Sequence, residues 1–579
     1  MSLLEIAVIA LGALAATERE PGRIVLAGAG SLTLAALLLQ FVGDVERALL
    51  LALPIAVAIT GVSRLKHHLS GRILTAADMP LLFAGTVPFM VRQYPVATAG
   101  TAASGAVLAL AATIALQAEG GEQLAPAARA AALAVALFLC ATALRFAGGA
   151  ETFRHGLEDN RGHLSTFFAS LFDTASWRPA RGLCMVDAGA SPLPLLAPIP
   201  ARTRRPPDII VIQHESVFDP RLFGLPVERN VAAFLAPATG RSGTLNVDIY
   251  GGGSWQSEFS LLTGLSSRSF GPDAYFLQTR GAGRFRHTLP RALSELGYET
   301  LLLSSCRRRF LNYDAFYGAV GFDERAFCDD LFAPDAVAAF EATYSDSQFL
   351  PAACEHLAGR LSRREAPQFA FLLTNFNHGP HGRPLANAAR FAAERAFAAA
   401  ANADPHYVEY YARLAETAAA WRAARDNLLA RFPDRPMLIV HYGDHQPVLT
   451  RRLERRLGLP PDATRPFRTF FAVEPLSFEP DPSALCLPAV LDIAFLGTIT
   501  QQVAGLALDA ISATRASLIA ECGTAYFLTP SARKRRFHRT LIEQGLVAAA
   551  PMRHRAVERP VSSPGGARVQ EDRRDPATE

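Results

Sequence analysis

The sequence predicts two structural units, a multi-span α-helical membrane domain followed by a doubly wound α/β domain with a central, mostly parallel sheet. The chain has 579 residues, which is too long for one ordinary hydrophobic core. Half of the residues are hydrophobic and 19% are charged, and the charged residues are scarce mainly before about residue 150. After residue 207, short apolar runs alternate with helical patterns, as in doubly wound α/β domains. The net charge of +4 is small for this length and gives no indication of nucleic-acid binding.

Residues 1–149 are predicted to form a transmembrane helical anchor with five or six spans. Four segments are each long and apolar enough to cross a hydrocarbon layer roughly 30 Å thick: 22–43, 47–64, 96–117 and 127–148. Residues 2–17 form a shorter run without a small-residue cleavage site, so we interpret them as a further span. Pro80 and Pro88 interrupt segment 78–91, which suits an interfacial or re-entrant helix better than a span. Ionisable residues are almost absent from the spans, which favours an anchor over a transporter.

Five spans with an inside N-terminus and six spans with an outside N-terminus both export the chain after residue 150. The basic loop from Arg64 to Arg72 prefers the cytoplasm, which favours six spans. We therefore expect a multi-pass protein of the bacterial inner (cytoplasmic) membrane whose C-terminal domain is periplasmic.

The remaining chain is predicted to contain a juxtamembrane connector (150–206), one α/β domain (207–530) and a basic, then disordered, tail (531–579). The connector ends in a Pro/Arg-rich stretch typical of a solvated linker. Strands are expected at 208–213, 298–304, 369–374 and 437–441, with a long Ala-rich helix around 385–430. The seven cysteines are scattered, and Cys306 with Cys328 is one candidate disulfide if the domain is exported.

Polar side chains follow three of the predicted strands. Glu215 follows the first strand, His378 the third and the pair Asp444-His445 the last, while Ser254 lies in a Gly-rich turn that begins a helix. Each feature alone has an ordinary structural explanation, such as a cap or a flexible turn. Together they predict a divalent-metal site beside a hydroxyl that can act as a nucleophile, at the sheet edge where such folds bind ligands.

Residues 207–525 resemble the lipoteichoic acid synthases and the phosphoglycerol transferases of periplasmic glucans, within the alkaline-phosphatase/sulfatase superfamily. Glu215 matches the family's glutamate ligand, and Gly443-Asp444-His445 matches its closing Gly-Asp-His. Gly252 to Phe259 matches Gly-x-Thr-x-x-Ser-Glu-Phe, with Ser254 in place of the threonine nucleophile. His378 corresponds to the family's substrate-facing histidine. Two patterns differ: Phe310-Leu311-Asn312-Tyr313 replaces Phe-Trp-Asn-Arg, and the x-Pro-x-Arg of formylglycine sulfatases does not follow Ser254.

The resemblance implies a membrane-anchored phosphotransferase with a phosphoserine intermediate, in which Ser254 is the nucleophile and His378 the acid. One divalent ion is expected on Glu215, Ser254, Asp444 and His445, and this mixed ligand set favours Mn²⁺, with Mg²⁺ or Zn²⁺ as alternatives. The candidate substrate-binding residues are Gly253, Trp255, Arg308, Asn312 and His381. Arg307 to Arg309 are either phosphate ligands or a solvated basic loop. The expected donor is a phosphatidylglycerol-like lipid and the expected acceptor a glycan. Hydrolysis, phosphoethanolamine transfer and a scaffold without activity stay open as alternatives.

Overall fold

The structure is a computed structural model that describes residues 3–70, 72–79, 87, 90–91, 94–117, 122–149, 162–172 and 183–551. Most of segment 78–91 and much of the predicted connector therefore lie outside the described residues, as does the predicted disordered end of the tail. The helices before residue 173 are α1 Leu3–Ala16, α2 Pro21–Val42, α3 Val45–Ser70, α4 Pro95–Gln117, α5 Pro126–Phe146 and α6 His163–Leu171.

Three of these helices are long and apolar enough to cross a membrane, judged by length and composition over the described residues. They are Pro21–Val42, Val45–His67 and Pro126–Phe146, and α1 and α4 contain shorter apolar stretches. Proline occupies the first position of α2, α4 and α5, where the missing N–H costs no hydrogen bond. Large apolar side chains such as Phe41, Phe138 and Phe146 are exposed on the helix surfaces. A lipid environment would cover these side chains.

Contacts at its two ends orient the helical bundle relative to the rest of the chain. At one end, Leu124 N donates to Gly43 O at 3.0 Å. At the other end, where the chain continues into the α/β domain, Leu164 N donates to Glu18 Oε1 at 2.8 Å. The short α6 packs closely here, since a Cβ on Gly30 would clash with the ring of Phe168.

The basic segment from Arg64 to Arg72, most of which forms the last turns of α3, lies at the end of the bundle that faces the α/β domain. Lys66 and Arg72 both lie over the ring of Tyr275 in that domain. Tyr94, just before α4, lies edge-on to His378. Described residues on both sides of segment 78–91, among them Lys66 and Tyr94, therefore contact the α/β domain. Asp78 forms an ion pair with Lys66 at 2.7 Å, which offsets part of the positive charge of this basic segment.

The α/β domain contains an eight-stranded sheet of order β5-β4-β6-β2-β7-β8-β3-β9, so the predicted mostly parallel sheet is confirmed. Only β8 runs antiparallel to its neighbours. A separate pair, β1 with β10, joins the connector to the C-terminal part. The strands are β1 Cys184–Met185, β2 Asp208–His214, β3 Arg241–Asn246, β4 Glu299–Ser304, β5 Glu324–Phe327, β6 Gln368–Leu373, β7 Met437–Gly443, β8 Arg468–Leu476, β9 Val490–Asp492 and β10 Ala550–Pro551.

Helices cover both faces of the sheet, which explains the continuous apolar run of its central strand. Ile209 and Val211 of β2 point into one hydrophobic core, and Ile210 and Ile212 into the other. The helices are α7 Arg229–Leu235, α8 Trp255–Thr263, α9 Leu277–Arg280, α10 Leu289–Glu295, α11 Tyr313–Val320, α12 Cys328–Leu331, α13 Pro334–Glu341, α14 Asp346–Leu361, α15 Ala392–Ala401, α16 Pro405–Arg431, α17 Leu449–Arg456, α18 Ile493–Val503, α19 Ala510–Ala516, α20 Ile519–Cys522 and α21 Ala532–Glu543.

The predicted long helix at 385–430 is two helices, α15 and α16. Asp404 ends the break between them, because its side chain caps α16 by accepting from His406 N at 3.0 Å. Pro405 then occupies the first helical position. Residues 385–391 precede α15 and are not helical.

The predicted linker and tail boundaries also differ from the structure. The Pro/Arg-rich stretch is not a free linker, because Arg202 N and Thr203 N both donate to Gly505 O. The basic run after Ser531 forms α21, which packs into the domain through buried Phe537 and Leu541, four residues apart on one helix face. This run therefore belongs to the folded domain.

All seven cysteines are free thiols. Cys306 and Cys328 are neighbours on adjacent strand ends, where Cys328 N donates to Cys306 O at 3.1 Å. The candidate disulfide between them is therefore not formed in the structure.

Candidate active site

Three potential metal ligands meet at the carboxyl ends of β2 and β7. His214 and Gly443 are paired in the parallel register, so the next residues, Glu215 and Asp444, leave the sheet side by side. Glu215, Asp444 and His445 are all buried, and one potential ligand atom from each lies within 4.8 Å of the others. His445 Nε2 is 3.4 Å from Glu215 Oε1 and 3.5 Å from Asp444 Oδ2.

The electrostatics of this cluster match the binding of a cation. Burial raises the pKa of Asp444 well above its ordinary value, and the nearby Glu215 carboxylate raises it further. Burial also disfavours a charged Glu215, but His445 outweighs it and holds the pKa of that carboxyl below its usual range. Burial lowers the pKa of His445, yet Asp444 and Glu215 together raise it to about 9. Two buried carboxylates thus lie close enough to repel each other, and a divalent ion bound between them would supply the positive charge that stabilises both.

Asp444 provides a further observation that fits a metal ion. Its Oδ1 accepts from Ser216 N and from His445 N, both at 2.7 Å. Its Oδ2 is buried and makes no hydrogen bond. A buried carboxylate oxygen without a donor is costly, and a cation beside it would remove that cost. The residues present therefore fit one hard or borderline divalent ion.

Ser254 lies beside this cluster at the start of α8. Its Oγ donates to Glu215 Oε2 at 2.8 Å and is 3.4 Å from His445 Nε2. The preceding Gly253 has a φ of 93°, a conformation that side chains rarely adopt, so a glycine is needed to bring the serine here. The helix N-terminus adds a positive potential that favours a phosphoryl group.

Several residues that the sequence did not single out hold the ligands in place. Ser216 Oγ donates to Glu215 Oε1 at 2.8 Å, and Glu215 N donates to Thr374 Oγ1 at 3.2 Å. Ser257 Oγ donates to the main-chain oxygen of Asp444 at 2.6 Å. Ser216 adopts a φ of 55°, a left-handed conformation that the local sequence does not indicate.

A buried network of hydrogen-bonded polar side chains lies beneath Ser254. Gln213 Nε2 donates to Glu258 Oε1 at 2.8 Å, and Tyr317 donates to the other oxygen of that carboxyl. Tyr442 in turn donates to Gln213 Oε1 at 2.6 Å. Burial raises the pKa of Glu258 to about 7. These hydrogen bonds connect the first turn of α8 to β2 and β7, so they fix the position of the nucleophile relative to the metal ligands.

His378 follows β6 at the same edge of the sheet. Its Nδ1 is 2.7 Å from Gly379 O, an acceptor only, so Nδ1 carries a proton. His378 also helps to hold the pKa of Glu215 below its usual range, which places its charge close to the cluster. The half-buried ring is therefore positioned for proton transfer.

Arg413 holds the loop that carries His378. This fully buried arginine donates to His378 O at 2.9 Å, to Pro380 O at 3.1 Å and to Arg383 O at 2.6 Å. Its Nε also pairs with Glu409 at 3.0 Å. No local sequence pattern indicates this role, because Arg413 lies in the middle of α16.

Two of the predicted substrate-binding residues lie directly beside Ser254, in the chain and in space. Gly253 forms the turn itself, and Trp255 Nε1 donates to Tyr275 O at 2.8 Å. The rings of Trp255 and Tyr275 are 5.0 Å apart, edge to face. These aromatic side chains border the nucleophile, and Tyr275 was not predicted.

The other three predicted substrate-binding residues are engaged within the protein. Arg308 forms ion pairs with Asp314 at 2.9 Å and Asp330 at 2.7 Å. Asn312 Nδ2 donates to Gln278 O at 3.0 Å.

His381 and Arg307 have structural partners as well. His381 is buried, with Nε2 2.9 Å from Asn377 O. Arg307 donates twice to Glu341, each time at 2.7 Å. Carboxylates of α11, α12 and α13 therefore pair with Arg307 and Arg308 in the structure.

Residues 207–466 match the family model described as Sulfatase. This part of the chain is therefore a sulfatase-type domain, preceded by a helical membrane domain.

Among known proteins, the chain is similar to an uncharacterised protein of Haemophilus influenzae, with 24% identity over 320 residues. That alignment covers 52% of this chain, and the chain spans about half the length (54%) of that relative. Among solved structures, it is similar to the integral membrane protein lipooligosaccharide phosphoethanolamine transferase A of Neisseria meningitidis. The identity is 11%, the coverage 87% of this chain and 96% of the other, and the TM-score 0.54, which shows a shared fold across both units.

The phosphoglycerol transferase GacH of Streptococcus pyogenes, solved with sn-glycerol-1-phosphate, is a further similar structure. It is 18% identical over 60% of this chain and 87% of that one, with a TM-score of 0.43.

Proposed function

We propose that the protein is a membrane-anchored, metal-dependent phosphotransferase. In this proposal it moves a phosphoglycerol-type group from a lipid donor to an envelope glycan through a phosphoserine intermediate. The observation that carries the proposal is the hydrogen bond of 2.8 Å between Ser254 Oγ and Glu215, beside buried Asp444 and His445. A hydroxyl in this position is suited to nucleophilic catalysis.

Glu215, Asp444, His445 and the Ser254 oxygen would hold the divalent ion. The ion would neutralise charge on a nonbridging phosphoryl oxygen and lower the pKa of the Ser254 hydroxyl. Two carboxylates, one imidazole and one hydroxyl favour Mn²⁺, with Mg²⁺ or Zn²⁺ as alternatives.

The residues of the chain account for the two halves of the transfer. Ser254 Oγ attacks the donor phosphorus as its proton passes to Glu215 Oε2, which accepts its hydrogen bond at 2.8 Å, and the bond from phosphorus to the lipid oxygen breaks. His378 gives a proton to the departing oxygen through Nε2, because Nδ1 is hydrogen-bonded to Gly379 O. In the second half, His378 takes a proton from the acceptor hydroxyl, which attacks the phosphorus, and the Ser254 oxygen departs with the proton returned by Glu215.

The membrane domain gives the proposal its cellular setting. A helical bundle in the inner membrane would hold the site next to a donor that stays in the bilayer. An α/β domain on the periplasmic side would meet envelope glycans there. Both five spans with the N-terminus in the cytoplasm and six spans with the N-terminus outside are compatible with this placement.

Phosphoethanolamine transfer is the second candidate. The similarity to the phosphoethanolamine transferase spans both units of the chain, with 87% covered, and this observation favours the candidate. Sulfate-ester hydrolysis is not proposed, because Trp255-Gln256-Ser257 follows Ser254 in place of the x-Pro-x-Arg pattern.

An acceptor screen tests the proposal. The full chain is incubated in vesicles with headgroup-labelled phosphatidylglycerol and envelope glycans, and Ser254→Ala serves as the control. We expect label on a glycan with the unchanged chain and none with the variant. Free glycerol phosphate as the sole product would make the protein a hydrolase, and label transfer by the variant would exclude Ser254.

A further inference from the structure

Helix α17 follows the end of β7 and carries two pairs of arginines. Arg452 and Arg456 both form ion pairs with Asp404, that of Arg456 at 2.9 Å. Arg451 and Arg455 are exposed, and neither forms an ion pair among the residues that the structure describes. One pair of arginines therefore shares a carboxylate, and the other pair, which we call the outer arginines, faces solvent.

The stability of α17 does not explain the outer arginines. They lie four residues apart, where like charges repel each other and destabilise a helix. The one acidic residue of α17, Glu454, forms its ion pair with Arg465 at 3.0 Å. A basic helix face that helix stability disfavours indicates a role in binding an anion.

Tyr250 connects the first turn of α17 to the segment that leads to the nucleophile. Arg451 Cζ is 4.7 Å from the ring centroid of Tyr250, a distance at which a cation is attracted to the aromatic face. Tyr250 Oη also accepts from Arg451 N at 3.2 Å. Gly251 N, next in the chain, donates to Gln446 O at 2.9 Å. The outer arginines are thus held beside the segment that ends at Ser254.

The strand order places α17 on one side of the site and His378 on the other. The strands β6, β2 and β7 are neighbours in this order, so His378, Glu215 and Asp444 follow one another along the edge of the sheet. Tyr94 of the membrane domain contacts His378, at the β6 side. The chain continues from β7 into α17, at the far side of this row. The outer arginines therefore lie where a substrate from the aqueous phase has access.

We propose that the outer arginines form an acceptor subsite that binds an oxyanion, a phosphate or a carboxylate, carried by the acceptor glycan. The inference rests on the proposed function, because it takes a glycan as the acceptor. A guanidinium matches the geometry of both oxyanions with two parallel N–H donors. An oligosaccharide can hold one anionic sugar at α17 while another sugar offers its hydroxyl to the phosphorylated Ser254. The subsite selects anionic glycans over neutral ones.

Binding without turnover tests the subsite. A fluorescent phosphorylated oligosaccharide is titrated with the detergent-solubilised full chain in the absence of donor lipid, and its anisotropy is measured. The Kd should rise at least about tenfold when Arg451→Gln and Arg455→Gln are combined, as for the loss of a charged hydrogen-bond donor. Lysine at both positions should keep most of the affinity. A carboxylated oligosaccharide should respond in the same way, and a neutral one of equal length should bind alike to all variants.

The matched control is Arg363→Gln, an exposed arginine that precedes β6 and so lies at the opposite edge of the sheet. Equal Kd values for this control and for the double glutamine variant would overturn the subsite. Inorganic phosphate that competes as well as the oligosaccharide at equal concentration would also overturn it, because the arginines would then bind phosphate without recognising a glycan. A response with only one of the two anionic oligosaccharides would support the subsite and identify its oxyanion.

A two-step assay separates this inference from the proposed function. In the first step, mass spectrometry follows the labelling of Ser254 from phosphatidylglycerol vesicles without an acceptor, and in the second, an anionic acceptor is added. The double glutamine variant should lose at least about tenfold more in the second step than in the first, through a higher KM for the acceptor. Equal losses in both steps would overturn the subsite. Binding of the anionic oligosaccharide by the unchanged chain without any transfer would instead refute the proposed function and leave the subsite.

Discussion

Replacement of Arg413 by methionine tests how the His378 loop is held. Arg413 is fully buried, pairs with Glu409 and donates to three carbonyls of the loop from His378 to Arg383 at 2.6 to 3.1 Å. Removing one partner of a buried ion pair costs about 3–5 kcal/mol. Methionine fills a similar volume but donates no hydrogen bond, so the loop loses its anchor.

We expect Arg413→Met to lower the free energy of unfolding by about 3–5 kcal/mol. Urea unfolding of the detergent-solubilised chain, followed by tryptophan fluorescence, measures the loss. Because His378 moves with its loop, kcat on a soluble phosphodiester should fall more than tenfold in the folded variant, with KM changed less. Arg413→Lys, which keeps the charge but fewer donors, should recover part of kcat.

The matched control is Arg422→Met on the same helix, where the side chain is exposed and bonds to Asn230. Its effect on unfolding should stay within about 0.5 kcal/mol. Stability and kcat of Arg413→Met both equal to those of Arg422→Met would refute the anchoring role.

Three further predictions concern the site. Asp444→Asn should weaken Mn²⁺ binding more than about a hundredfold in calorimetric titration of the chelator-treated protein. The surface variant Asp426→Asn should leave Mn²⁺ binding unchanged. Equal Mn²⁺ affinities of the two variants would contradict the role of Asp444 as a ligand. Glu258 has a pKa raised to about 7 in the folded chain, so its contribution to stability, about 3 kcal/mol, is present below pH 4.5 and lost as the pH rises to 7. Glu258→Gln should remove that part of the pH dependence in unfolding experiments between pH 5 and 7, and an unchanged slope would argue against it. Gly253→Ala places a Cβ 2.9 Å from Gln256 Nε2 at a φ of 93°. We therefore expect the free energy of unfolding to fall by about 1–2 kcal/mol and turnover to fall more than tenfold. Turnover equal to that of the wild type would show that this conformation of the turn is not needed.

The sequence predicted the parts of the site that depend on strand ends. Glu215 and Asp444 follow apolar runs that become neighbouring parallel strands, so the edge of the sheet brings them together without further information. Ser254 follows glycines that allow a positive φ, which is also a local feature. The order of these elements along the chain was sufficient to expect one cluster.

Other parts depend on contacts between distant segments. The carboxylate partners of Arg308, Asp314 and Asp330, belong to two separate helices, α11 and α12, so no local sequence pattern indicated these ion pairs. No local sequence pattern indicates the roles of Arg413 and Tyr275. Arg413 acts through the His378 loop that it contacts, and Tyr275 through the ring of Trp255.

Mass spectrometry of Ser254 during turnover tests the central claim most directly. The full chain is mixed with phosphatidylglycerol vesicles and its metal ion, quenched with acid within the reaction time and digested. We predict that the peptide containing Ser254 carries a phosphoglycerol group, and that Ser254→Ala carries none. A phosphoethanolamine group on Ser254, from mixed vesicles, would keep the nucleophile and change the donor. An unmodified Ser254 throughout productive turnover would contradict the claim that this serine forms the covalent intermediate.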